Sequence, residues 1–272
     1  MAKIPKQNLI QEAMESHFIY EDHRPYLGMS EIGGKCQRKL WYSLHWAYPI
    51  HLEPREHRIF ERGDIEEKRV IRDLNAHGMQ VTLQQKEIMD KTGHLRGHID
   101  GLVCYVPGAE KTRHLLEVKT MNHKRYMEYL KKGLQETNPG YYVQMNQYLG
   151  WMNLDRCLYV VTNKNDEDRN YRRYEFDKVN FDEYKGIAFD ILIANRPPKR
   201  IGESTWFECK FCRARGICHF NEPISRNCRT CKNVNIEQNG EWSCSINNNE
   251  RIPESVQRTG CEDYQISEAF DE

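Results

Sequence analysis

Apolar positions recur at two different periods along this chain, and the change of period marks its organisation. Residues 5–19 read as a short amphipathic helix. Residues 36–46, CQRKLWYSLHW, follow a Gly-Gly pair and read as a second, aromatic-rich helix. Over 55–76, Ile59, Phe60, Gly63, Glu67, Val70, Ile71 and Leu74 fall near one helical face, and Gly78 supplies a stop. The period then shortens to two. Residues 79–89, 95–106 and 114–120 are β-rich runs separated by Lys91-Thr-Gly93 and Pro107-Gly108, which predicts a three-stranded antiparallel meander. Helices are predicted over 123–132 and 141–153, with a break at Thr137-Asn-Pro-Gly140. Strands are predicted over 155–162 and 170–176, joined by the turn Asn163–Arg169, and a helix over 181–194 stops before Pro197-Pro198. This order predicts an α/β sandwich with a mixed central sheet flanked by helices.

From about residue 200 the apolar periodicity fades. Seven of the ten cysteines lie between 209 and 261, so this stretch is expected to fold around metals rather than around a core. At 272 residues, the chain is long enough for one large domain with a small appendage. Apolar residues make up 39% and aromatic residues 11%, which suits a globular protein. Lys plus Arg equals Asp plus Glu at 40 each, so any nucleic-acid surface must be a local basic patch. Candidates are Lys124-Arg125, Lys131-Lys132, Arg172-Arg173, Lys199-Arg200, and Arg213 with Arg215. No run resembles a membrane span or a secretory signal, so no membrane partner is expected. The expected location is the cytoplasm, that of a host cell if the gene is viral. Ten cysteines without a secretory signal read as metal ligation rather than as a disulfide framework.

Between the first cysteine, Cys36, and the later group lies a run of acidic and basic positions. Asp100 ends Gly97-His-Ile-Asp100 on one predicted strand, and Glu117-Val-Lys119 lies on the next. Strand side chains alternate, so Glu117 and Lys119 share a face, and a hairpin brings Asp100 beside Glu117. Two neighbouring carboxylates suit Mg²⁺ or Mn²⁺, which prefer oxygen ligands, and the Val118 carbonyl is a further candidate ligand. Such a metal polarises a phosphodiester and lowers the pKa of a bound water. Lys119 is placed to orient that water or to offset developing charge. Upstream, Gly63 and Glu67 are one turn apart on a helix, and Glu67 completes the candidate metal site. Gln144 and Tyr148, four residues apart on a later helix, share one face.

Cys209-x2-Cys212-x5-Cys218 offers three thiolates in one loop, suited to zinc or to an iron–sulfur cluster, with Cys36 as the best fourth ligand. Cys228-x2-Cys231, Cys244 and Cys261 form a second set with the spacing of a zinc ribbon, so a structural Zn²⁺ is expected there. His219 is a possible competitor in either set and is expected to be a bystander. Cys104 and Cys157 fall in predicted strands and are expected in the core. Gly28–Lys35 resembles a phosphate loop only superficially: the spacing is wrong for GxxxxGK, and Cys36 stands where Ser or Thr would bind magnesium.

Taken in order, Asp100, Glu117-Val-Lys119 and Gln144-x-x-x-Tyr148 resemble the PD-(D/E)xK nuclease superfamily, and more narrowly its RecB-like, iron–sulfur exonuclease branch. The matched region spans roughly residues 55–195. The resemblance implies a restriction-endonuclease-like core in which Asp100 is the acidic residue of the first strand motif. Glu117–Lys119 is then the ExK triplet, and Gln144–Tyr148 the QxxxY motif. Gly63–Glu67 resembles the upstream Gly-x-x-x-His/Glu motif. Many iron–sulfur relatives carry His where this chain has Glu67, and Glu66 is the neighbouring alternative. The Cys36 segment resembles that of CRISPR-adaptation nucleases and AddB-type nuclease domains, in which one cysteine precedes the core and three follow it. That likeness implies a 4Fe-4S cluster on Cys36, Cys209, Cys212 and Cys218.

The expected organisation is a helical segment over 1–54 carrying Cys36, a nuclease core over 55–200, a cysteine segment over 201–222 closing on Cys36, and a four-cysteine tail over 223–272. The expected activity is metal-dependent DNA cleavage, exonucleolytic on single strands or DNA ends, in DNA recombination or repair. With no ATPase motor in the chain, a helicase or recombination partner would be a separate protein. Trp41, Tyr42, Tyr141 and Tyr142 are candidates for stacking on bases, with core packing the expected role for most of them. The alternatives are a structure-specific endonuclease, CRISPR-adaptation-like or restriction-like, and a non-catalytic DNA-binding module.

Overall fold

The computed structural model describes residues 9–16, 19–21 and 23–271, the stretch 19–21 by its backbone alone. The chain runs through helix α1 (Leu9–Glu15), strands β1 (Ile19–Glu21) and β2 (Leu27–Gly28), α2 (Gln37–Leu44), β3 (Ile50–Leu52) and α3 (Pro54–Ala76). There follow β4 (Gln80–Thr82), β5 (Glu87–Met89), β6 (Leu95–His98), β7 (Gly101–Cys104) and β8 (His114–Met121). Next come α4 (His123–Lys132), α5 (Leu134–Thr137), α6 (Pro139–Met152), β9 (Arg156–Asn163), β10 (Arg169–Glu175) and α7 (Lys178–Ile193). The remainder holds α8 (Phe207–Lys210), α9 (Arg215–His219), β11 (Val234–Ile236), β12 (Trp242–Cys244), β13 (Glu250–Arg251) and α10 (Glu254–Thr259). The helix predicted over 5–19 is described only as α1, and its residues 5–8, 17 and 18 lie outside the described residues. No helix among the described residues is long and apolar enough to cross a membrane.

The central sheet has five strands in the order β10-β9-β8-β7-β4, with β8 and β9 parallel and the other pairs antiparallel. This is the mixed sheet expected from the sequence. The predicted meander is corrected. Its first two runs each break in the middle, so β4 and β7 join the central sheet while β5 and β6 form a separate sheet with β2. The first break lies at Leu83 and Gln85, whose φ angles are 53° and 54°. The second lies at Ile99–Asp100. The two corners hold each other: Gln85 N donates to the Ile99 carbonyl at 2.9 Å, and Ile99 N donates to the Lys86 carbonyl at 3.2 Å. Alternation along the sequence continues across both corners, so only these long-range bonds reveal the bend.

β8 sits in the middle of the sheet and is covered on both sides, which accounts for its nearly continuous burial, His114 and Glu117 included. Against one face, Val70, Ile71 and Leu74 of α3 pack on Leu116, Val118, Leu158 and Val160. Each such side chain stabilises the fold by about 2 kcal/mol when fully buried. Only the C-terminal half of α3 does this work. Ile59, Phe60 and Ile65 are exposed, so the apolar face read from the sequence overstates the contact. Against the other face, Tyr126 and Tyr129 of α4 and Met145 and Tyr148 of α6 cover Leu115, Tyr159 and Val161. Helix α7 packs behind α6, and α2 behind α7.

The cysteine-rich tail also packs on the core. Trp242 of β12 is fully buried in the main core cluster. Next to it the Arg229 guanidinium lies 4.4 Å from the Trp242 ring and 3.7 Å from the Trp46 ring. It donates to the carbonyls of Leu44 and Pro25, both at 3.0 Å, and to Gln257 Oε1 at 2.8 Å. Burial pulls its pKa below the ordinary arginine range, and these acceptors and indole faces offset that cost. Arg229→Ala should therefore lower stability by about 3 kcal/mol and expose the tail to protease. Denaturant melts and limited proteolysis check this, and a variant as resistant as wild type would remove the clamp.

Candidate active site

β8 places Leu115, Glu117 and Lys119 on the face towards α6, because successive strand side chains alternate. Glu117 is 0% exposed. The Lys119 ammonium lies 2.5 Å from Glu117 Oε1 as an ion contact. Neither Glu117 oxygen receives an aligned hydrogen bond. Burial pushes the Glu117 carboxyl up, opposed by Lys119 and reinforced by Asp100. Burial acts against the charge of Lys119, yet Glu117 and Asp100 hold its ammonium well above the ordinary lysine range.

Asp100 stands at the corner between β6 and β7, where the chain leaves the small sheet for the central one. Its Oδ2 accepts from Val118 N at 2.7 Å, so the backbone between Glu117 and Lys119 fixes the carboxylate that faces them. Burial raises its pKa, while Lys119 lowers it. Glu67 reaches the same place from α3. Its two oxygens accept from Gln85 Nε2 at 2.8 and 3.0 Å. Burial first, and the Asp100 charge second, push Glu67 up to about 7. Three carboxylates on three separate elements thus surround one lysine.

Gln144 and Tyr148 stand behind this group on α6, both buried. Burial and Glu117 raise the Tyr148 hydroxyl pKa, and Gln144 acts in the opposite direction. The ring edge and hydroxyl lie against Gly97: a Cβ there would fall 2.5 Å from Tyr148 Oη. The glycine of Gly97-His-Ile-Asp100 therefore admits the tyrosine of the helical motif, and the two motifs pack directly on each other. Tyr141, one turn before Gln144, sets its ring 5.0 Å from Lys119 Nζ in a cation–π contact.

Several sequence-based candidates fall elsewhere. Glu66 is buried and points away. It accepts from Thr162 Oγ1 at 2.8 Å, Arg169 Nη2 at 2.6 Å and Arg69 Nη1 at 2.9 Å, so it serves the α3–sheet contact. Trp41 and Tyr42 are core residues, and Tyr142 donates its hydroxyl to Asp177. Two participants were not recognised from the sequence. Asp64 adds charge to both Glu67 and Asp100. Its position three residues before Glu67 on one helix was an available signal. Gln85 has no local signature, because only the fold brings its turn to α3.

The chemistry of these donors fits a divalent cation. A buried carboxylate without a hydrogen-bond donor is costly. Three carboxylates with raised pKa values offer hard oxygen ligands of the kind Mg²⁺ and Mn²⁺ take.

The two cysteine sets each surround one cavity. Cys36, Cys209, Cys212 and Cys218 line a space of about 420 Å³, and His219 lines it too. Cys36 caps the N-terminus of α2, where its sulfur accepts from Lys39 N at 3.4 Å. Burial raises the Cys209 and Cys212 thiols, and the Cys36 and Cys218 sulfurs add to this. Cys228, Cys231, Cys244 and Cys261 line a second cavity of about 430 Å³. There burial, followed by Cys261, Cys231 and Cys244, pushes Cys228 up to about 11. In both places the sulfurs ring the cavity without meeting at ligating distance, and no group of three or more His, Cys, Asp or Glu among the described residues is closed on a point.

No family model matches the sequence, and no curated protein does. Among solved structures, the alkaline exonuclease LHK-Exo of Laribacter hongkongensis is 20% identical at a TM-score of 0.47, covering 62% of this chain and 87% of that one. A phage-related exonuclease of Haemophilus somnus 129PT is 13% identical at 0.37, covering 49% of this chain and 68% of that one. The protein titled SSO0001 is 17% identical at 0.42, covering 77% and 91%. At these values the likeness assigns neither fold nor activity.

Glu67 gives a test that needs no activity. Its folded pKa of about 7 lies above the usual carboxylate value, so the folded state keeps a proton that the unfolded state has released. Metal-free stability should therefore fall as pH rises from about 4.5 to 7 and level off above. Glu67→Gln removes this penalty and should exceed wild type by about 1 kcal/mol at pH 8, after allowance for solvent screening, with no gain at pH 4.5. Glu66→Gln should instead destabilise at both values. Thermal melts in EDTA decide, and a pH-independent difference for Glu67→Gln would count against a desolvated carboxylate.

Proposed function

We propose that the chain is a metal-dependent DNA nuclease that hydrolyses phosphodiester bonds, acting as an exonuclease on single strands or DNA ends. The observation that carries this reading is Glu117, wholly buried, with no aligned hydrogen bond to either oxygen, in ion contact with Lys119 and facing Asp100. Such a carboxylate would be stabilised by a cation, towards which the neighbouring acids Asp100 and Glu67 would have to close, since the three do not converge on one point here. A divalent ion bound there would supply Lewis acidity at the phosphorus and a more acidic water. The Val118 carbonyl is proposed as a further ligand. Lys119, kept protonated by two carboxylates and stacked on Tyr141, would hold a non-bridging phosphate oxygen and offset its growing charge. Gln144 and Tyr148 act as positioning residues, bracing the Asp100 strand through Gly97.

The four thiols around the first cavity support a structural 4Fe-4S cluster on Cys36, Cys209, Cys212 and Cys218, which would pin the segment 201–222 to α2. The second four support a structural Zn²⁺ on Cys228, Cys231, Cys244 and Cys261, organising the tail over 223–272.

End-labelled single- and double-stranded DNA with Mn²⁺ or Mg²⁺ tests the activity. Lys119→Ala and Glu117→Ala should each lower the cleavage rate at least a hundredfold. Product ladders from each labelled end report polarity, and cutting of closed circles would replace the exonuclease reading by an endonuclease one. Full activity in both variants would end the assignment of the site.

The metal sets are tested separately by content. Anaerobically purified protein should show broad visible absorption and contain iron, lost in Cys36→Ser. Cys228→Ser should lose zinc while keeping iron. Protein without iron, or zinc unchanged in Cys228→Ser, overturns the respective site.

A further inference from the structure

Phe207, two residues before Cys209, and Phe211, between Cys209 and Cys212, hold their rings in solvent: Phe207 is 69% exposed and Phe211 70%. Their centroids are 5.3 Å apart at an interplanar angle of 64°. Large apolar side chains exposed side by side, here at the two ends of α8, mark an interaction surface. Cations lie among the rings: Lys210 Nζ is 5.7 Å from the Phe211 ring, and the Arg215 guanidinium is 4.8 Å from the half-exposed Phe220 ring.

The surroundings indicate what this surface receives. Both phenyl rings line the first cysteine cavity, together with Lys35, Arg38, Lys39, Arg200 and Arg215 against the carboxylates of Glu31 and Glu208. The wall therefore has a cationic excess. Tyr141 lines the same cavity, and its ring is 5.0 Å from Lys119 Nζ. Aromatic faces and cations thus share one cavity wall, which Tyr141 joins to the candidate catalytic lysine. A phosphate chain with splayed bases matches that series: its backbone meets the cations and its bases meet the rings. Stacked bases inside a duplex cannot reach such rings, so the surface discriminates between strands.

We propose that Phe207 and Phe211 form a stacking platform for unpaired nucleobases, which receives single-stranded DNA on the cysteine side of the candidate active site. The adjacency to Lys119 rests on the nuclease reading above, whereas binding of a single strand does not.

The test is anisotropy of a labelled 20-nucleotide oligothymidylate with Lys119→Ala protein, compared with the same protein carrying Phe207→Ala and Phe211→Ala. Stacking is worth roughly five- to a hundredfold in affinity per base, so the double variant should bind at least tenfold more weakly. Phe207→Trp with Phe211→Trp should restore binding, and an abasic oligomer of equal charge should bind wild type as weakly as DNA binds the double alanine variant. Binding of blunt duplex should change less than threefold. If the double variant loses its thermal midpoint, the two single variants are measured instead. Affinity within twofold of the parent, or equal affinity for the abasic oligomer, overturns the platform even where DNA is cleaved. Loss of binding in a wild-type background that cleaves nothing in any divalent metal supports the platform and ends the nuclease reading. A parent protein that binds no single strand at all overturns the platform outright.

Discussion

Glu117 is a carboxylate with no solvent contact in the middle strand of a five-stranded sheet. Its desolvation sets the terms for everything near it. A buried ion pair does not repay its desolvation well enough to be kept for stability alone, and an apolar pair of similar size would hold β8 at least as firmly. Lys119 offsets the charge without giving either oxygen an aligned bond. Around that pair the chain spends several unusual features. The β6–β7 run is broken at Asp100, so that this side chain can turn onto the Val118 amide. Gly97 is bare so that Tyr148 can lie against it. Helix α6 carries buried polar residues on most sides, each tied to a neighbour, such as Asn146 to the Tyr142 carbonyl and Gln147 to the Phe181 carbonyl. These concessions make sense together as supports for one acidic centre.

Helix α2 links that centre to the cysteine-rich end of the chain. Its N-cap is Cys36, and the loop before it packs so tightly on α6 that a Cβ on Gly33 would lie 2.8 Å from Gly140 Cα. Trp41 Nε1 donates to the Ala194 carbonyl at the end of α7. The Leu44 carbonyl, at its other end, accepts from Arg229, one residue beyond Cys228. The two cysteine cavities therefore bracket the same short helix. Disorder at either cavity would be felt at both ends of α2, and through Gly33 and Gly140 at the start of α6, where Tyr141 meets Lys119.

The element order and the acidic residues were legible because they depend on local signals. The long helix, the paired long strands and the buried α6 all carry clear periods, and Asp100, Glu117 and Lys119 announce themselves by type and spacing. What was not legible depends on contacts between distant segments. The corners at Leu83–Gln85 and Ile99–Asp100 keep the alternation of a straight strand, so the meander looked continuous. Glu66 and Glu67 are adjacent and chemically alike, and what separates a structural carboxylate from a candidate ligand is mostly the distant partners Thr162 and Arg169, about a hundred residues away. Trp41 and Tyr42 pack in the core, the role expected for most of the four aromatics named, whereas the exposed Phe207 and Phe211 were hidden in the sequence by the cysteines around them. Polar tail composition concealed a buried Trp242 because one indole and one guanidinium suffice to dock it.

The acidic centre and the cysteine cavities share one physical problem and answer it differently. In each, like groups are held close in a medium that disfavours their charged forms, so each resists ionisation until a cation arrives. At the acidic centre the resistance is partial. Lys119 already neutralises one charge, and Glu67 titrates near neutrality, so a divalent ion can enter and leave without dismantling the fold. At the tail cavity no cationic side chain stands in for Lys119 among the groups acting most strongly on Cys228. Its thiol is pushed further from ionisation, and the surrounding chain has short strands and little core of its own. On the proposed reading, a metal at the tail would carry folding energy, whereas a metal at Asp100 and Glu117 would enter a frame that the sheet has already built. An exchangeable ion would then suit the acidic centre and a resident one the tail cavity, a division that follows from where the protein itself supplies the compensating charge.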